Sequence, residues 1–303
     1  MSSGIIDVQA IFRAHRPART PLYGAKLLCV IVEFSIFLTN KEAEMFGFKQ
    51  RRRKRWQSQP LNPEWIEIIR RNIPYYQYLT SQEQIELQGH IQIFLHEKDF
   101  EGCGGLEITD EIRVTIAAQA CILLLHRKTD YFPLTSSILV YPHHYFALSS
   151  RRLPGGIVEE GIQGREGESW KGGPIVLSWD DVLKGAADPH DGRNVVLHEF
   201  AHELDGESGA MDGAPPLSKA TMYRTWARVL SHEYEELLVD LEQNHRHLID
   251  SYGATNPAEF FAVVTEEFFE IPVQLKSRHP ELYEQMCLFY QQDPASRLIS
   301  GSK

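Results

Sequence analysis

The pattern in this chain that most directly suggests chemistry is a pair of histidines four residues apart, His198 and His202. They flank Glu199 in a match to the pattern H-E-x-x-H. On an α-helix, residues four apart lie on the same face, so the two imidazoles can bind one Zn²⁺. Glu199 is offset around the helix, where it can take a proton from a water that the metal activates. The motif therefore predicts a hydrolytic zinc site with Glu199 as the general base.

The same pattern also occurs on surface helices that bind no metal, because it fixes only three positions. This copy lies in an apolar segment, residues 193–206, that ends at Gly206. Unpaired His and Glu side chains are costly to bury on such a helix, which favours the metal-site interpretation. Asp205 follows on the same face and is a candidate to orient one of the imidazoles by a hydrogen bond.

A catalytic zinc site keeps three protein ligands and one open position, so a third ligand is needed. The all-histidine extension of the motif would place it at residue 208, which is Ser208. A later apolar helix, predicted to begin at Asn256 and Pro257, carries Glu259 and Glu266 on one face. These two lie ~10 Å apart along the axis, so only one can reach the metal. Because Glu259 could instead close a capping box with Asn256, spacing alone leaves both glutamates open.

The surrounding sequence predicts the elements that position these residues. Capping residues and apolar periodicity predict helices over 62–73, 80–97, 109–125 and 231–250. Ser137–Tyr141 and 173–178 are predicted strands, and the Gly-rich stretch 153–173 between them is a predicted hairpin or long loop. The segment 172–178 lies just ahead of the motif helix. It is therefore a candidate edge strand along which an extended peptide pairs.

The other histidines have simpler interpretations. His143 and His144 follow a predicted strand with no carboxylate at a useful spacing, so we treat them as surface or core residues. His232, His245 and His247 lie in a charged helical stretch, which predicts a solvated face.

Composition narrows the class of protein. The chain has 303 residues, of which 43% are hydrophobic and 24% charged, as in soluble globular proteins. Its four cysteines include no C-x-x-C pair, which argues against a disulfide framework or a cysteine zinc site and favours a cytoplasmic protein. Residues 1–58 contain 11 Lys/Arg against 4 Asp/Glu, and the rest of the chain contains 20 against 37. This excess of acidic residues beyond residue 58 argues against nucleic-acid binding by the main domain.

The chain is predicted to consist of three parts: a basic, poorly ordered N-terminal extension (1–58), a main domain (59–296) and a C-terminal tail (297–303). The apolar run Leu27–Leu38 has about 12 residues and contains Glu33, whereas a membrane-spanning helix needs ~20 apolar residues. We therefore expect no stable membrane span. The basic run 49–55 is most simply a solvated tail.

Several separated motifs together resemble the Mlc titration factor A family of zinc peptidases. They lie at 173–179, 198–205, 250–252, 256–263 and 289–294, within a likeness that covers about residues 60–295. The resemblance implies an α+β fold, namely a mostly helical, zincin-like metallopeptidase domain with a small sheet ahead of the H-E-x-x-H helix. Residues 1–44 have no counterpart in the family, which makes Met45 a candidate start.

The resemblance also implies roles for individual residues, those of a gluzincin. It implies His198, His202 and Glu259 as Zn²⁺ ligands and Glu199 as the catalytic base. A more distant likeness to the catalytic domain of anthrax lethal factor implies Tyr252 as a phenol that stabilises the oxyanion. The implied partners are a peptide or protein substrate and a transcriptional repressor. An alternative function is therefore a regulatory protein that sequesters a repressor.

Overall fold

The computed structural model of this chain describes residues 47–152, 158–165, 167–169 and 173–300. The run Leu27–Leu38 and parts of the stretch 153–173 lie outside these residues. The chain divides into two units after Arg55, and every helix and strand described below belongs to the second unit except the helix that starts at residue 47 in the first. The domain boundaries at residues 58 and 296 stay predictions. Within the described part of the chain, no helix combines the length and the apolar character that crossing a membrane requires.

The fold is α+β and mostly helical, as the sequence predicts. Its helices are α1 (47–57), α2 (Pro63–Asn72), α3 (Ser81–Glu97), α4 (Asp110–Ile122), α5 (Trp179–Ala187), α6 (Val195–Gly206), α7 (Tyr223–Glu242), α8 (Pro257–Glu270), α9 (Pro272–Arg278), α10 (Pro280–Tyr290) and α11 (Pro294–Ser300). The caps explain where they start. Thr80 and Glu83 form a capping box at the start of α3, and the Asn62 side chain accepts the Glu64 N–H at the start of α2.

A small sheet precedes the motif helix. Its strands are β1 (Asp99–Gly102), β2 (Ser137–Tyr141), β5 (Gly167–Ser169) and β6 (Ile175–Ser178), in the order β1-β2-β6-β5. Strands β1, β2 and β6 are parallel, and β5 is antiparallel to β6. Strands β3 (Tyr145–Arg152) and β4 (Val158–Arg165) form a separate antiparallel pair.

The prediction that residues 172–178 form an edge strand was wrong. Strand β6 lies between β2 and β5, so hydrogen bonds engage both of its sides. All four of its residues are buried, which is the pattern of an interior strand covered on both faces. Among the described strands, β5 takes the edge position next to β6.

The helix predicted over 231–250 is displaced. Helix α7 spans Tyr223–Glu242, so it starts earlier and ends eight residues earlier than predicted. It ends because Asn244 adopts a left-handed conformation with φ of 56°, which α-helix geometry does not allow. The segment after Asn244 is then free to fold back toward α8.

Aromatic clusters fix the two helices that matter for the site. On α6, the Phe200 ring lies 4.7 Å from that of Phe132 and 5.6 Å from that of Phe94, centroid to centroid. On α8, the Phe261 ring lies 5.9 Å from the Trp226 ring of α7. Such pairs have defined geometry and little freedom to shift, so they hold both helices in place relative to the core.

Candidate metal centre

Helix α6 carries the H-E-x-x-H motif into the protein interior. Asn194 caps it, because its Oδ1 accepts a hydrogen bond from the Leu197 N–H at 3.1 Å. Every residue from 196 to 206 is buried, and His198 and His202 are each only 9% exposed. The motif therefore does not lie on a solvated surface helix.

Helix α8 brings a carboxylate to these histidines. The Asn256 Oδ1 accepts hydrogen bonds from the N–H groups of Ala258 and Glu259, at 2.9 and 3.0 Å, and Pro257 occupies the first turn. This cap starts the helix one turn before the site. The Glu259 side chain then lies against the imidazoles of α6.

One atom from each of three residues forms a compact triangle. Glu259 Oε2 lies 3.0 Å from His198 Nε2 and 3.2 Å from His202 Nε2, and the two Nε2 atoms are 3.2 Å apart. Ligands at ~2.0–2.1 Å from a tetrahedral Zn²⁺ are separated by about 3.3 Å, so the triangle nearly matches that spacing. Within the described residues, this is the group of His, Cys, Asp and Glu side chains that could hold a metal ion.

A second carboxylate contacts the other side of one imidazole. Glu266 Oε1 lies 2.7 Å from His198 Nδ1, and Glu266 Oε2 accepts the Asn194 N–H at 2.5 Å. Glu259 and Glu266 therefore meet opposite nitrogens of the same ring. A carboxylate that accepts the Nδ1 proton leaves Nε2 with the lone pair that a metal requires. The signal for this role was present in the sequence, since Glu266 lies seven residues after Glu259 on the same helical face.

Burial and charge compete in setting the pKa values of this group. Burial acts to raise the pKa of Glu259, but hydrogen bonds from His198 and His202 and the charges of the two rings outweigh it and lower that pKa to about 2. Burial acts to lower the pKa of His198, but the carboxylates of Glu266 and Glu259 outweigh it and raise that pKa well above its usual value. Glu259 is therefore ionised, the form in which a carboxylate binds a cation.

Glu199 lies beside the triangle without joining it. Its side chain is buried, and within the described part of the chain its Oε2 has no hydrogen-bond partner. Burial raises the pKa of Glu199 to about 7, although the charges of His198 and His202 act in the opposite direction. A carboxyl group with a pKa near neutrality is suited to accept and return a proton.

Tyr252 lies at the exposed rim of this group. It belongs to a short 3₁₀ turn, Ser251–Thr255, that leads into α8, and it is 54% exposed. Its ring centroid is 5.8 Å from that of His198. The turn is held by the Asp250 Oδ1, which accepts the Tyr252 N–H at 2.9 Å. The structure thus brings the predicted oxyanion residue next to the histidines on the solvent side.

Asp205, near the end of α6, is linked to Trp226 of α7 through the loop that follows α6. Its Oδ2 accepts the Gly213 N–H at 2.8 Å, and the Gly213 carbonyl accepts the indole N–H of Trp226 at 2.9 Å. The sequence made Asp205 a candidate to orient an imidazole. In the structure, Glu266 makes such a contact, with the Nδ1 atom of His198. Gly213 has a φ of 77°, and a Cβ added there would lie 2.5 Å from the Pro257 carbonyl oxygen.

We expect Gly213→Ala to destabilise the protein far more than Gly209→Ala does. Both glycines have positive φ, but a Cβ at Gly209 meets nothing within 4 Å. Holding an alanine at positive φ costs about 1 kcal/mol at either position. The clash with Pro257 brings the total loss of stability for Gly213→Ala to about 3 kcal/mol. Urea denaturation of the two variants measures the difference. Equal losses would show that the contact with the start of α8 is not tight.

Of the other histidines considered in the sequence analysis, His143, His144, His232 and His245 have exposed side chains, and His247 does not. His143 and His144 are exposed at the surface, where they pair with Asp180 at 2.6 Å and Asp181 at 2.9 Å. The prediction of a solvated face was wrong for His247, whose side chain is only 7% exposed. His247 lies beyond the end of α7, and its ring centroid is 5.0 Å from that of His279.

The fold and the site define a metallopeptidase-like domain, with a His–His–Glu group that could bind a metal ion at its centre. The chain belongs to the family described as glucose-regulated metallo-peptidase M90, whose model matches residues 48–291. An uncharacterized protein of Synechocystis sp. is 41% identical over 244 residues, which cover 80% of this chain and 89% of the relative. Proteins named Mlc titration factor A from Yersinia pestis and Yersinia pseudotuberculosis are each 32% identical over 240 residues, 78% of this chain and 86% of theirs.

Proposed function

We propose that this protein is a zinc-dependent peptidase of the gluzincin type. The observation that carries the proposal is the triangle of His198 Nε2, His202 Nε2 and Glu259 Oε2, with sides of 3.0–3.2 Å. Two imidazoles and one carboxylate are a ligand set found in catalytic zinc sites, which leave a further position open. The buried Glu199 beside them is then the general base.

Each residue of the group has a separate task. Zinc, when bound, supplies a Lewis acid that polarises the scissile carbonyl and acidifies a water molecule. His198, His202 and Glu259 would hold the ion through the three atoms of the triangle. Glu266 accepts the Nδ1 proton of His198 and so keeps that ring in the required tautomer and orientation.

Proton transfer falls to Glu199, and oxyanion stabilisation falls to Tyr252. The Glu199 carboxylate accepts a proton from the attacking water and then donates it to the leaving amine nitrogen. Its buried position restricts competing water molecules around the free Oε2 atom. The Tyr252 hydroxyl donates a hydrogen bond to the oxyanion that develops when the peptide carbonyl is attacked. We place its exposed ring at the mouth of the site, where a substrate enters.

A second candidate function is the binding of a transcriptional repressor. The name Mlc titration factor A describes the two Yersinia relatives as proteins that titrate Mlc. By analogy, this chain binds a transcriptional repressor and regulates it, either instead of hydrolysing peptides or in addition to hydrolysing them. The name of these relatives supports a regulatory partner, but it does not indicate which surface would bind that partner.

A peptidase assay with removal and return of the metal tests the proposal. We expect the purified protein to hydrolyse fluorogenic peptides, to lose this activity after dialysis against a chelator, and to regain it with one equivalent of Zn²⁺. Pulldown of a repressor by the zinc-free protein, with no hydrolysis of any peptide in a diverse library, would favour the second candidate.

A further inference from the structure

Tyr252 reaches the candidate metal centre from a short, exposed turn. The turn spans Ser251–Thr255, and Tyr252 is 54% exposed, with its ring 5.8 Å from that of His198. A side chain on so short a segment is positioned by whatever anchors the backbone of that segment to the rigid part of the fold. The residue just before the turn, Asp250, supplies such an anchor.

Asp250 joins the turn both to α8 and to the segment that precedes α6. Its Oδ1 accepts the Tyr252 N–H at 2.9 Å, and its Oδ2 accepts a hydrogen bond from the Arg193 guanidinium at 2.6 Å. Its own N–H donates to Glu267 Oε1 on α8 at 2.9 Å. Both carboxylate oxygens are therefore engaged within the protein, which suits a residue that holds the turn and not one that binds substrate.

Charge strengthens the hydrogen bonds of the Asp250 carboxylate. Burial acts to raise the pKa of Asp250, but the Tyr252 N–H and the Arg193 guanidinium outweigh it and lower that pKa below its usual value. Asp250 is therefore ionised near neutral pH. Hydrogen bonds to an ionised carboxylate are shorter and stronger than those to a neutral acceptor.

Arg193 extends this connection to the helix that carries the histidines. The next residue, Asn194, caps α6 and donates its N–H to Glu266, the carboxylate that contacts His198. The Arg193 side chain is 70% exposed, so its ion pair with Asp250 contributes little to stability. The effect expected of this pair is therefore on the place of the turn relative to α6, not on folding.

We infer that Asp250 and Arg193 are positioning residues that hold Tyr252 where it stabilises the oxyanion. The inference rests on the proposed peptidase function. Asp250 acts through the backbone of the turn, and Arg193 acts through Asp250. A donor stabilises an oxyanion only from ~2.7–3.1 Å away, so a small displacement of the turn removes much of the effect.

A double-mutant cycle separates positioning from a purely structural role. We expect Tyr252→Phe to lower kcat about 100-fold, as the loss of one oxyanion donor does. Asp250→Ala should lower kcat about tenfold with KM nearly unchanged, because the lost interaction is made only in the transition state. In the Tyr252→Phe background, Asp250→Ala should lower kcat less than about twofold, since the hydroxyl that it positions is already absent.

Arg193 has a matched control elsewhere on the surface. Arg193→Gln removes the ion pair with Asp250 and should lower kcat about threefold, whereas Arg193→Lys keeps the positive charge and should restore most of that loss. The control is Arg228→Gln, because Arg228 is 60% exposed and pairs with Glu281 at 2.7 Å. This change should leave kcat as it is in the wild-type protein.

Hydrogen exchange of the purified protein provides a measurement that needs no turnover. The Tyr252 amide should exchange about tenfold faster in Asp250→Ala than in the wild-type protein, because its acceptor is gone. Exchange at the same amide should also be faster in Arg193→Gln but not in Arg228→Gln.

Three results would overturn the inference while the peptidase proposal stands. The first is an equal fall in kcat on Asp250→Ala with and without Tyr252→Phe. The second is an equal change in kcat for Arg193→Gln and Arg228→Gln, and the third is unchanged exchange at the Tyr252 amide in both Asp250→Ala and Arg193→Gln. A wild-type protein that hydrolyses no peptide would refute the peptidase proposal and this inference with it.

Discussion

Replacement of Glu199 by glutamine is expected to abolish peptide hydrolysis while zinc stays bound. The amide has the shape of the carboxylate but cannot accept a proton from the attacking water. General acid–base catalysis contributes about 10²–10⁴-fold, so kcat should fall by that factor. Steady-state kinetics on a fluorogenic peptide, with zinc content measured on the same sample, provide the comparison.

The stability of the same variant separates a catalytic loss from unfolding. Burial raises the pKa of Glu199 to about 7, which shows that the site disfavours the charged form. A neutral amide should therefore leave the free energy of unfolding unchanged or increase it. A Glu199→Gln protein that keeps near-normal kcat would exclude Glu199 as the base. One that loses zinc would show that Glu199 is a ligand.

The second large effect is the difference between the two glutamates of α8. We expect Glu259→Gln to weaken zinc binding severely, because it removes one of three ligands from the triangle. Glu266→Gln removes the charge that faces His198 Nδ1 and one of the two oxygens that accept from His198 and from the Asn194 N–H, a change that costs about 10–100-fold in metal affinity. Chelator competition titrations of the two variants give the two affinities.

Each variant is the control for the other, since both exchange a carboxylate for an amide on one helix. If Glu259 were only a residue in the first turn of α8, its replacement would cost ~1 kcal/mol of stability and spare the metal. A larger loss of zinc affinity in Glu266→Gln than in Glu259→Gln would place the third ligand two turns later on α8. Such a result would reverse the roles that the distances indicate.

Much of the fold and part of the site follow from local sequence patterns. Capping residues predict the starts of α2, α3 and α8, because each supplies an acceptor for N–H groups that the helix leaves unpaired. The spacing of His198 and His202 predicts that both imidazoles lie on one face, since helix geometry fixes that relation. These features depend on residues within a few positions of each other.

The features that sequence reasoning missed depend on packing between distant segments. Spacing could not decide between Glu259 and Glu266, because the choice depends on where α8 crosses α6. The four buried residues of β6 were compatible with an interior strand, but its neighbour β5 could not be identified from the sequence. His247 lies in a charged stretch, but its side chain is only 7% exposed and its ring packs 5.0 Å from that of His279, which is 32 residues later in the chain.

Anomalous scattering at the zinc absorption edge, from crystals of the zinc-loaded protein, tests the central claim most directly. We expect one strong peak per chain, ~2.0–2.2 Å from His198 Nε2, His202 Nε2 and a Glu259 carboxylate oxygen. A zinc peak at another group of side chains, or none at this triangle in protein shown to contain zinc, would contradict it.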